Sequence, residues 1–544
     1  MNNLDGIGAK TAPILSVFNL TVGLPLYGDR QFAVEDVNLE LAPGKTVCLV
    51  GESGSGKSII GHSIMGMLPS QLKYVNGQIF LKGNLLPKQR DPSYSALRSV
   101  EMSMIFQDAS LSLNPLRKIR KQLEEIIRTK YSRAAELENF LKIALHNVEL
   151  TDHKKILNSY PHQISGGQAQ RVVIAAALLQ EPSLLIADEP TTALDVTTQA
   201  SILKLIDKLK IKLNLAVLFI THDFGVVAEI ADEVCVLRDG RIIEKGETQA
   251  ILQSPKKNYT KHLIYLAQKL EKKENGYPGK EVLALENLNV VYKSGRFLNV
   301  RKTKAVVDVS FSVNSGQTLG IVGESGSGKS SLAKAILLLE QIDSGSIKFK
   351  GTDILNLNTL ELKHLRRKMQ IVLQDPFSAL NPRKTILSAI SEGPIIHGVS
   401  KTKAEEIASR LLRLTGLAKS SSSRYPHEFS GGQRQRICIA RALALEPEIL
   451  IADEAVSALD VSIQAQILDL FKKMQQRFGF ALIFITHDLR VARAICDAIL
   501  VMKDGQVVEK GYANEIFKSP KNPYTKLLLN SAPKSNFGLL DLPN

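Results

Sequence analysis

The 544-residue chain contains no tryptophan, and aromatic residues make up only 6% of it. A platform of aromatic side chains for stacking nucleic-acid bases therefore finds little support. Cysteine is scarce too: Cys48, Cys235, Cys438 and Cys496, with no CxxC pair. That spacing excludes a zinc ribbon, and an even count implies no disulfide framework in so long a chain. Cys48 and Cys235 fall in strand-like apolar runs and Cys438 and Cys496 in helical-looking stretches, so buried, reduced thiols are expected. The opening residues MNNLDGIGAKTAP lack the apolar segment of a signal peptide. The most apolar stretch, 172–187, is interrupted by Gln180, Glu181 and Pro182 and is too short to span a bilayer. A cytoplasmic protein is expected, meeting a membrane only through a partner.

Acidic residues are the minority, 54 against 69 Lys and Arg, for a net charge of +15. No single dense basic tract carries that excess, so a solvated lysine-rich surface accounts for it more simply than a nucleic-acid or lipid site. Hydrophobic content of 44% is ordinary for a globular protein and sufficient for a sizeable core.

What the chain does have, it has twice. GESGSGKS occupies residues 51–58 and recurs letter for letter at 323–330. Gln107, Ser165-Gly166-Gly167-Gln168, Asp188-Glu189, Asp195 and His222 follow the first copy. Gln374, Ser430-Gly431-Gly432-Gln433, Asp453-Glu454, Asp460 and His487 follow the second. From the serine of SGGQ onward the two sets are 430 − 165 = 265 residues apart. A period of that size marks a duplicated domain, and both copies keep their chemical residues.

Each repeat reads as α/β. Thr46–Val50 and Thr318–Val322 are short apolar runs ending at the glycine-rich loop, as buried parallel strands do. Leu184–Asp188, Ile449–Asp453, Ala216–Thr221 and Ala481–Thr486 have the same character. Residues 58–68 and 330–339 have helical composition. Asp-Gly turns between strand-like runs predict hairpins at 234–238 with 241–244, and at 499–503 with 506–509. More than fifty residues of helical character, including 133–148 and 402–414, separate each of Gln107 and Gln374 from its SGGQ. Two domains are expected, 1–268 and 282–544, joined by a polar linker at 269–281.

The glycine-rich loops carry phosphate chemistry. Gly51, Ser53, Gly54, Ser55 and Gly56, with Gly323, Ser325, Gly326, Ser327 and Gly328, let backbone N–H groups curl around the β- and γ-phosphates at the positive end of a helix. Lys57 and Lys329 add a point charge, and Ser58 and Ser330 a hydroxyl for Mg²⁺. Asp188 and Asp453 end apolar strands, which suits a Mg²⁺ contact, and Glu189 and Glu454 beside them can orient or deprotonate water. The glycine pair of each SGGQ opens a helix, offering N–H donors and a positive dipole. Since each repeat already has its own phosphate loop, that second helix end makes sense facing the nucleotide of the other repeat. His222 and His487, each in ITHD after a strand, are placed to contact a γ-phosphate.

SGGQ between a glycine-rich loop and an acidic strand end resembles the ATP-binding cassette (ABC) ATPases, over about 490 of the 544 residues. The resemblance implies two tandem P-loop NTPase domains, each with a RecA-like core, an antiparallel β subdomain and a helical subdomain. It implies ATP and Mg²⁺ at two composite sites, where two cassettes pack head to tail. One site would join Lys57, Ser58, Gln107, Asp188, Glu189 and His222 to Ser430, Gly431, Gly432 and Gln433. The other would join Lys329, Ser330, Gln374, Asp453, Glu454 and His487 to Ser165, Gly166, Gly167 and Gln168. Gln107 and Gln374 match the loop that touches Mg²⁺ and senses a transmembrane partner, and Asp195 and Asp460 match the family's D-loop. DASLSLNPL (108–116), DPFSALNPR (375–383), SPKKNYTKHL (254–263) and SPKNPYTKLL (519–528) are similar to the oligopeptide/dipeptide/nickel importer branch.

The family pattern is departed from in three places. Ala455 stands where the first repeat has Pro190. Tyr292 fits the family's adenine-stacking aromatic, whereas Leu24 falls at that place in the first repeat, leaving Tyr27 or Phe32 as substitutes. The C-terminal cysteine cluster of some peptide-importer ATPases is missing, so no Fe–S centre is expected. An importer implies two integral-membrane permease subunits, a solute-binding protein reached through them, and a place at the cytoplasmic face of the membrane. The alternative is a twin-cassette ATPase acting on ribosomes or nucleic acid. That class usually has a longer, highly charged helical linker, so no nucleic-acid partner is expected.

Overall fold

A computed structural model describes residues 12–25, 30–127, 134–192, 194–268, 279–294, 301–457 and 459–532. Two compact units part along the chain between Gln268 and Lys269. Of the expected linker only residues 279–281 are described, and Glu281 already begins a strand, Glu281–Ser294.

In the first unit, Thr46–Val50, Ala216–Thr221, Leu184–Asp188 and Met102–Ile105 run parallel in one sheet. Glu233–Arg238 joins Thr46–Val50 on its other side, and Arg241–Glu247 closes that edge antiparallel. TVCLV, LLIAD and AVLFIT are buried along their whole length. An apolar run without alternation needs cover on both faces, which parallel strands flanked by helices and a second layer supply. That second layer is an antiparallel sheet, in the order Phe32–Leu41, Leu15–Gly23, Lys73–Leu81, Asn84–Leu85. The helix Lys57–Ile64 lies in the core with them, burying Ile60 and Ile64 among Leu15, Val34, Leu49, Leu218 and Ile220.

The second unit repeats the plan. Its six-stranded sheet runs Met369–Val372, Ile449–Asp453, Ala481–Thr486, Thr318–Val322, Ala498–Lys503, Gln506–Tyr512. Its antiparallel layer pairs Arg301–Asn314, Glu281–Ser294, Ser344–Phe349 and Thr352–Asp353. The helices Ala134–Asn147 and Lys401–Leu414 lie where helical insertions are expected, and Arg133 lies outside the described residues.

Two local expectations need correction. The helices after the glycine-rich loops end at Ile64 and Ile336, short of residues 68 and 339. Gly66 and Leu338 adopt left-handed backbone (φ 64° and 52°), which stops an α-helix within a turn. Cys496 does not sit in a helix but caps one, Leu489–Ile495, with extended backbone. All four cysteines are buried and none forms a disulfide.

Candidate nucleotide and catalytic site

In each unit the parallel strands deliver their C-terminal ends to one edge, and the candidate residues gather there. Gly56 and Gly328 cap the helices behind the loops at φ 105° and 99°. A Cβ on either would strike the carbonyl oxygen of Ala33 or Ala305, at 2.6 and 2.2 Å, so only glycine closes the loop against the antiparallel layer. Inside the loop Lys57 Nζ donates to the carbonyls of Gly51 (2.8 Å) and Glu52 (2.9 Å). Lys329 does the same to Gly323 (2.8 Å) and Glu324 (2.7 Å). Both ammonium groups are buried, and burial depresses the Lys329 pKa against the pull of Glu454 and Asp453. A buried cation ringed by carbonyls and loop N–H groups is a receptor for anionic oxygen.

Ser58 Oγ donates to Asp188 Oδ1 at 3.0 Å, and Ser330 Oγ to Asp453 Oδ1 at 3.2 Å. Burial raises both aspartate pKa values, with the serine hydrogen bonds opposing. A desolvated carboxylate beside a hydroxyl is a hard-oxygen pair short of positive charge, which suits a small divalent cation such as Mg²⁺.

Next to each aspartate stands a glutamate in a conformation that side chains rarely take. Glu189 has φ 46° and Glu454 φ 48°. Their N–H groups donate to Ile220 and Ile485 on the neighbouring strand, at 2.9 and 3.0 Å, which holds the turn. The left-handed kink redirects the side chain as the strand ends. Glu189 Oε2 accepts from Gln107 Nε2 (3.1 Å) and Thr192 Oγ1 (2.9 Å), while Oε1 meets His222 Nδ1 at 3.1 Å. Glu454 Oε2 accepts from Gln374 Nε2 (2.9 Å) and lies 3.3 Å from His487 Nδ1. Burial pushes both glutamate pKa values up, but the histidines together with the loop lysines, and Thr192 at Glu189, outweigh it and the net direction is down. The histidines shift upward for the reciprocal reason, against their own burial.

The two clusters differ in one hydroxyl. Thr192 bonds the Glu189 carboxylate, whereas Ser457, its counterpart 265 residues on, donates to the Glu454 main-chain carbonyl (3.0 Å). Neither hydroxyl belongs to one of the repeated motifs; a hydroxyl residue at the same place in both repeats is the signal that the sequence offers.

The SGGQ segments open the helices Gly166–Leu178 and Gly431–Leu443. Ser165 Oγ accepts from the Gln168 N–H (3.2 Å) and Gln168 Oε1 from the Ser165 N–H (3.0 Å), a reciprocal cap that Ser430 and Gln433 repeat. These four residues are exposed. Gly167 and Gly432 bring each helix against the next one, where a Cβ would meet Thr198 or Ile463 at 2.6 or 2.4 Å. Asp460 caps the helix Val461–Phe478, and Asp195 accepts from Thr197 Oγ1 (2.8 Å).

Tyr292 stands over the start of the second phosphate-loop helix, its hydroxyl 3.3 Å from Ser331 Oγ. The matching position is Leu24, just past the strand Leu15–Gly23, and Ile59 replaces Ser331. Tyr27 lies outside the described residues, and Phe32 begins a strand opposite Gly23. Arg30, unremarked in the sequence, donates to the Gly54 carbonyl at 2.6 Å.

An anion-binding loop, a hydroxyl–carboxylate pair for a cation and a hydrogen-bonded glutamate at one sheet edge define a P-loop nucleotide hydrolase, here present twice. The pattern of the family described as ABC transporter matches residues 34–192 and again 306–457, so the chain belongs to the ABC transporter family and binds and hydrolyses ATP. Residues 508–543 match the family described as oligopeptide/dipeptide transporter, C-terminal region. The chain is 42% identical to the peptidoglycan transport ATP-binding protein YejF of Agrobacterium fabrum, over 96% of its own length and 97% of the relative. It is 40% identical to the glutathione import ATP-binding protein GsiA of Pectobacterium atrosepticum, over 97% and 91%. Among solved structures, cbiO1 from Clostridium perfringens aligns at 26% identity and TM-score 0.40, over 45% of this chain and 92% of its own.

Proposed function

We propose that the chain is the ATP-hydrolysing, energy-coupling subunit of an importer for peptides or peptide-like solutes. The carrying observation is that both cassettes keep the whole hydrolytic cluster, joined to the oligopeptide/dipeptide C-terminal region. The names of its relatives, peptidoglycan transport and glutathione import, support a cargo of that chemical class.

In this reading each ATP is bound by the loop of one cassette and the SGGQ helix of the other, in the two residue sets set out from sequence. Mg²⁺, held through Ser58 with Asp188 and through Ser330 with Asp453, would screen the phosphate charge. Glu189 and Glu454, ionised at neutral pH, accept a proton from the attacking water at a carboxylate oxygen. His222 and His487 hold those carboxylates in place and can donate toward the γ-phosphate. Closure is favoured because ATP touches both cassettes only when they are together, and hydrolysis removes that bridge.

Among the described residues no helix is long and apolar enough to cross a membrane. As the energy-coupling subunit of such an importer, the protein would work at the cytoplasmic face, docked on two permease subunits that receive solute from a binding protein. Deleting the gene should abolish uptake of some peptide-like solute, and the chain should co-purify with integral-membrane permeases. Normal uptake of every such solute, with ATPase activity stimulated by ribosomes or DNA instead, would overturn the reading.

A further inference from the structure

We propose that Tyr524, in the C-terminal region, is a positioning residue of the second ATP site that holds the entrance of its phosphate loop. The inference rests on the ATPase reading of that loop. Tyr524 is the second residue of the helix Pro523–Ser531, and its place is fixed from several sides. Glu509 accepts from the N–H groups of Lys521 (2.8 Å) and Asn522 (3.1 Å), tying the turn to the strand Gln506–Tyr512. Asn522 Oδ1 then caps the Tyr524 N–H at 2.8 Å. The ring packs in the core of the second cassette, with Lys503 Nζ 4.9 Å above its centre.

So held, the Tyr524 hydroxyl accepts from the N–H of Glu324, 200 residues away, at 3.2 Å. Glu324 is the second residue of GESGSGKS, and its carbonyl accepts from Lys329 Nζ. The Gly323–Glu324 peptide is thus gripped on both sides, by the C-terminal region through the Glu324 N–H and by the phosphate-binding lysine through the Gly323 carbonyl at 2.8 Å. Burial pushes the Tyr524 hydroxyl up to about 12, so it stays neutral and keeps its lone pairs for the amide. Without that anchor the Glu324 peptide can rotate and the loop must order itself as nucleotide arrives, which lowers affinity without touching the reacting atoms.

The first cassette supplies an internal control. Tyr259, 265 residues earlier, stacks under Arg238 at 4.9 Å and faces the equivalent Glu52, but its buried hydroxyl forms no hydrogen bond of normal geometry there. The well-formed bond is therefore at the second site, and the first holds a looser version of it.

The experiment measures equilibrium binding of a fluorescent ATP analogue with Mg²⁺ to the full chain. Lys57→Ala isolates the second site and Lys329→Ala the first. Tyr524→Phe, which keeps the ring and its packing, should weaken binding at the second site about fivefold, while kcat at saturating ATP stays within twofold. Tyr259→Phe should weaken the first site by less than about twofold. Unchanged affinity in Tyr524→Phe would overturn the proposal, as would an equal loss in Tyr259→Phe. If the Lys57→Ala parent bound no ATP, the ATPase reading of the second loop would fall, and the proposal with it.

Discussion

Gln107 Nε2 donates to Glu189 Oε2 at 3.1 Å, so the residue that follows one edge strand is tied to the glutamate that ends its neighbour. Gln374 and Glu454 form the same link at 2.9 Å. A displacement of the segment behind Gln107 or Gln374 therefore reaches the glutamate proposed to activate water through one hydrogen bond. Docking of a partner there could set the rate of hydrolysis without touching the phosphate loop.

If Glu189 and Glu454 are the bases, replacing either by Gln should slow hydrolysis at its own site by roughly 10²-fold or more. ATP binding should persist. Single-turnover assays with the other site disabled check this, and wild-type turnover in either mutant would contradict it.

The hydroxyl difference between the cassettes predicts unequal sensitivity. Thr192→Val removes a donor from a charged carboxylate and should cut kcat at the first site about tenfold. Ser457→Ala touches only a main-chain carbonyl and should leave the second site within about twofold. Equal effects in site-isolated assays would show that Thr192 does not hold Glu189.

The composite-site reading predicts that damage crosses over. Ser165→Ala and Gly167→Ala should impair turnover of the nucleotide held by Lys329, and Ser430→Ala and Gly432→Ala the one held by Lys57. Site-specific photolabelling followed by single turnover distinguishes the two. Loss confined to the mutated cassette's own loop would refute the head-to-tail arrangement.

Glu448 lies between Lys350 and Lys368, the latter at 3.1 Å. Burial pushes its pKa up, but the two lysines outweigh it and hold the carboxyl below its ordinary value. Its contribution to stability is then complete above the unfolded carboxyl pKa, about 4.3, and is lost as pH falls through the folded value. Glu448→Gln should lower Tm at pH 7, and the gap to wild type should close below about pH 4 in thermal melts. A gap that persisted in acid would have another origin.

The parallel strands were legible because LLIAD, AVLFIT and TLGIV are apolar without alternation and end at polar or glycine-rich turns. The hairpins were legible from Asp239-Gly240 and Asp504-Gly505. Helix ends were not: nothing in the composition of 58–68 says that the chain turns left-handed at Gly66. The missing parts of the site share a physical cause. The left-handed glutamates depend on hydrogen bonds to Ile220 and Ile485, the Arg30 contact on a loop 24 residues away, and the Tyr524 bond on one 200 residues away. Periodicity reports local preference, and these interactions exist only once distant strands have been brought together.

Glutamate in left-handed backbone is costlier than glycine there, by about 1 kcal/mol or more at each of two positions. The hydrolytic machinery thus works against the resilience of the folded chain. Glycine would relieve that strain but discard the bonds from Gln107 or Gln374 and strand a buried histidine, so the kink persists only as long as the carboxylate is kept. A lineage that stopped needing turnover would be expected to decay first at these two positions, while its buried strands stayed intact.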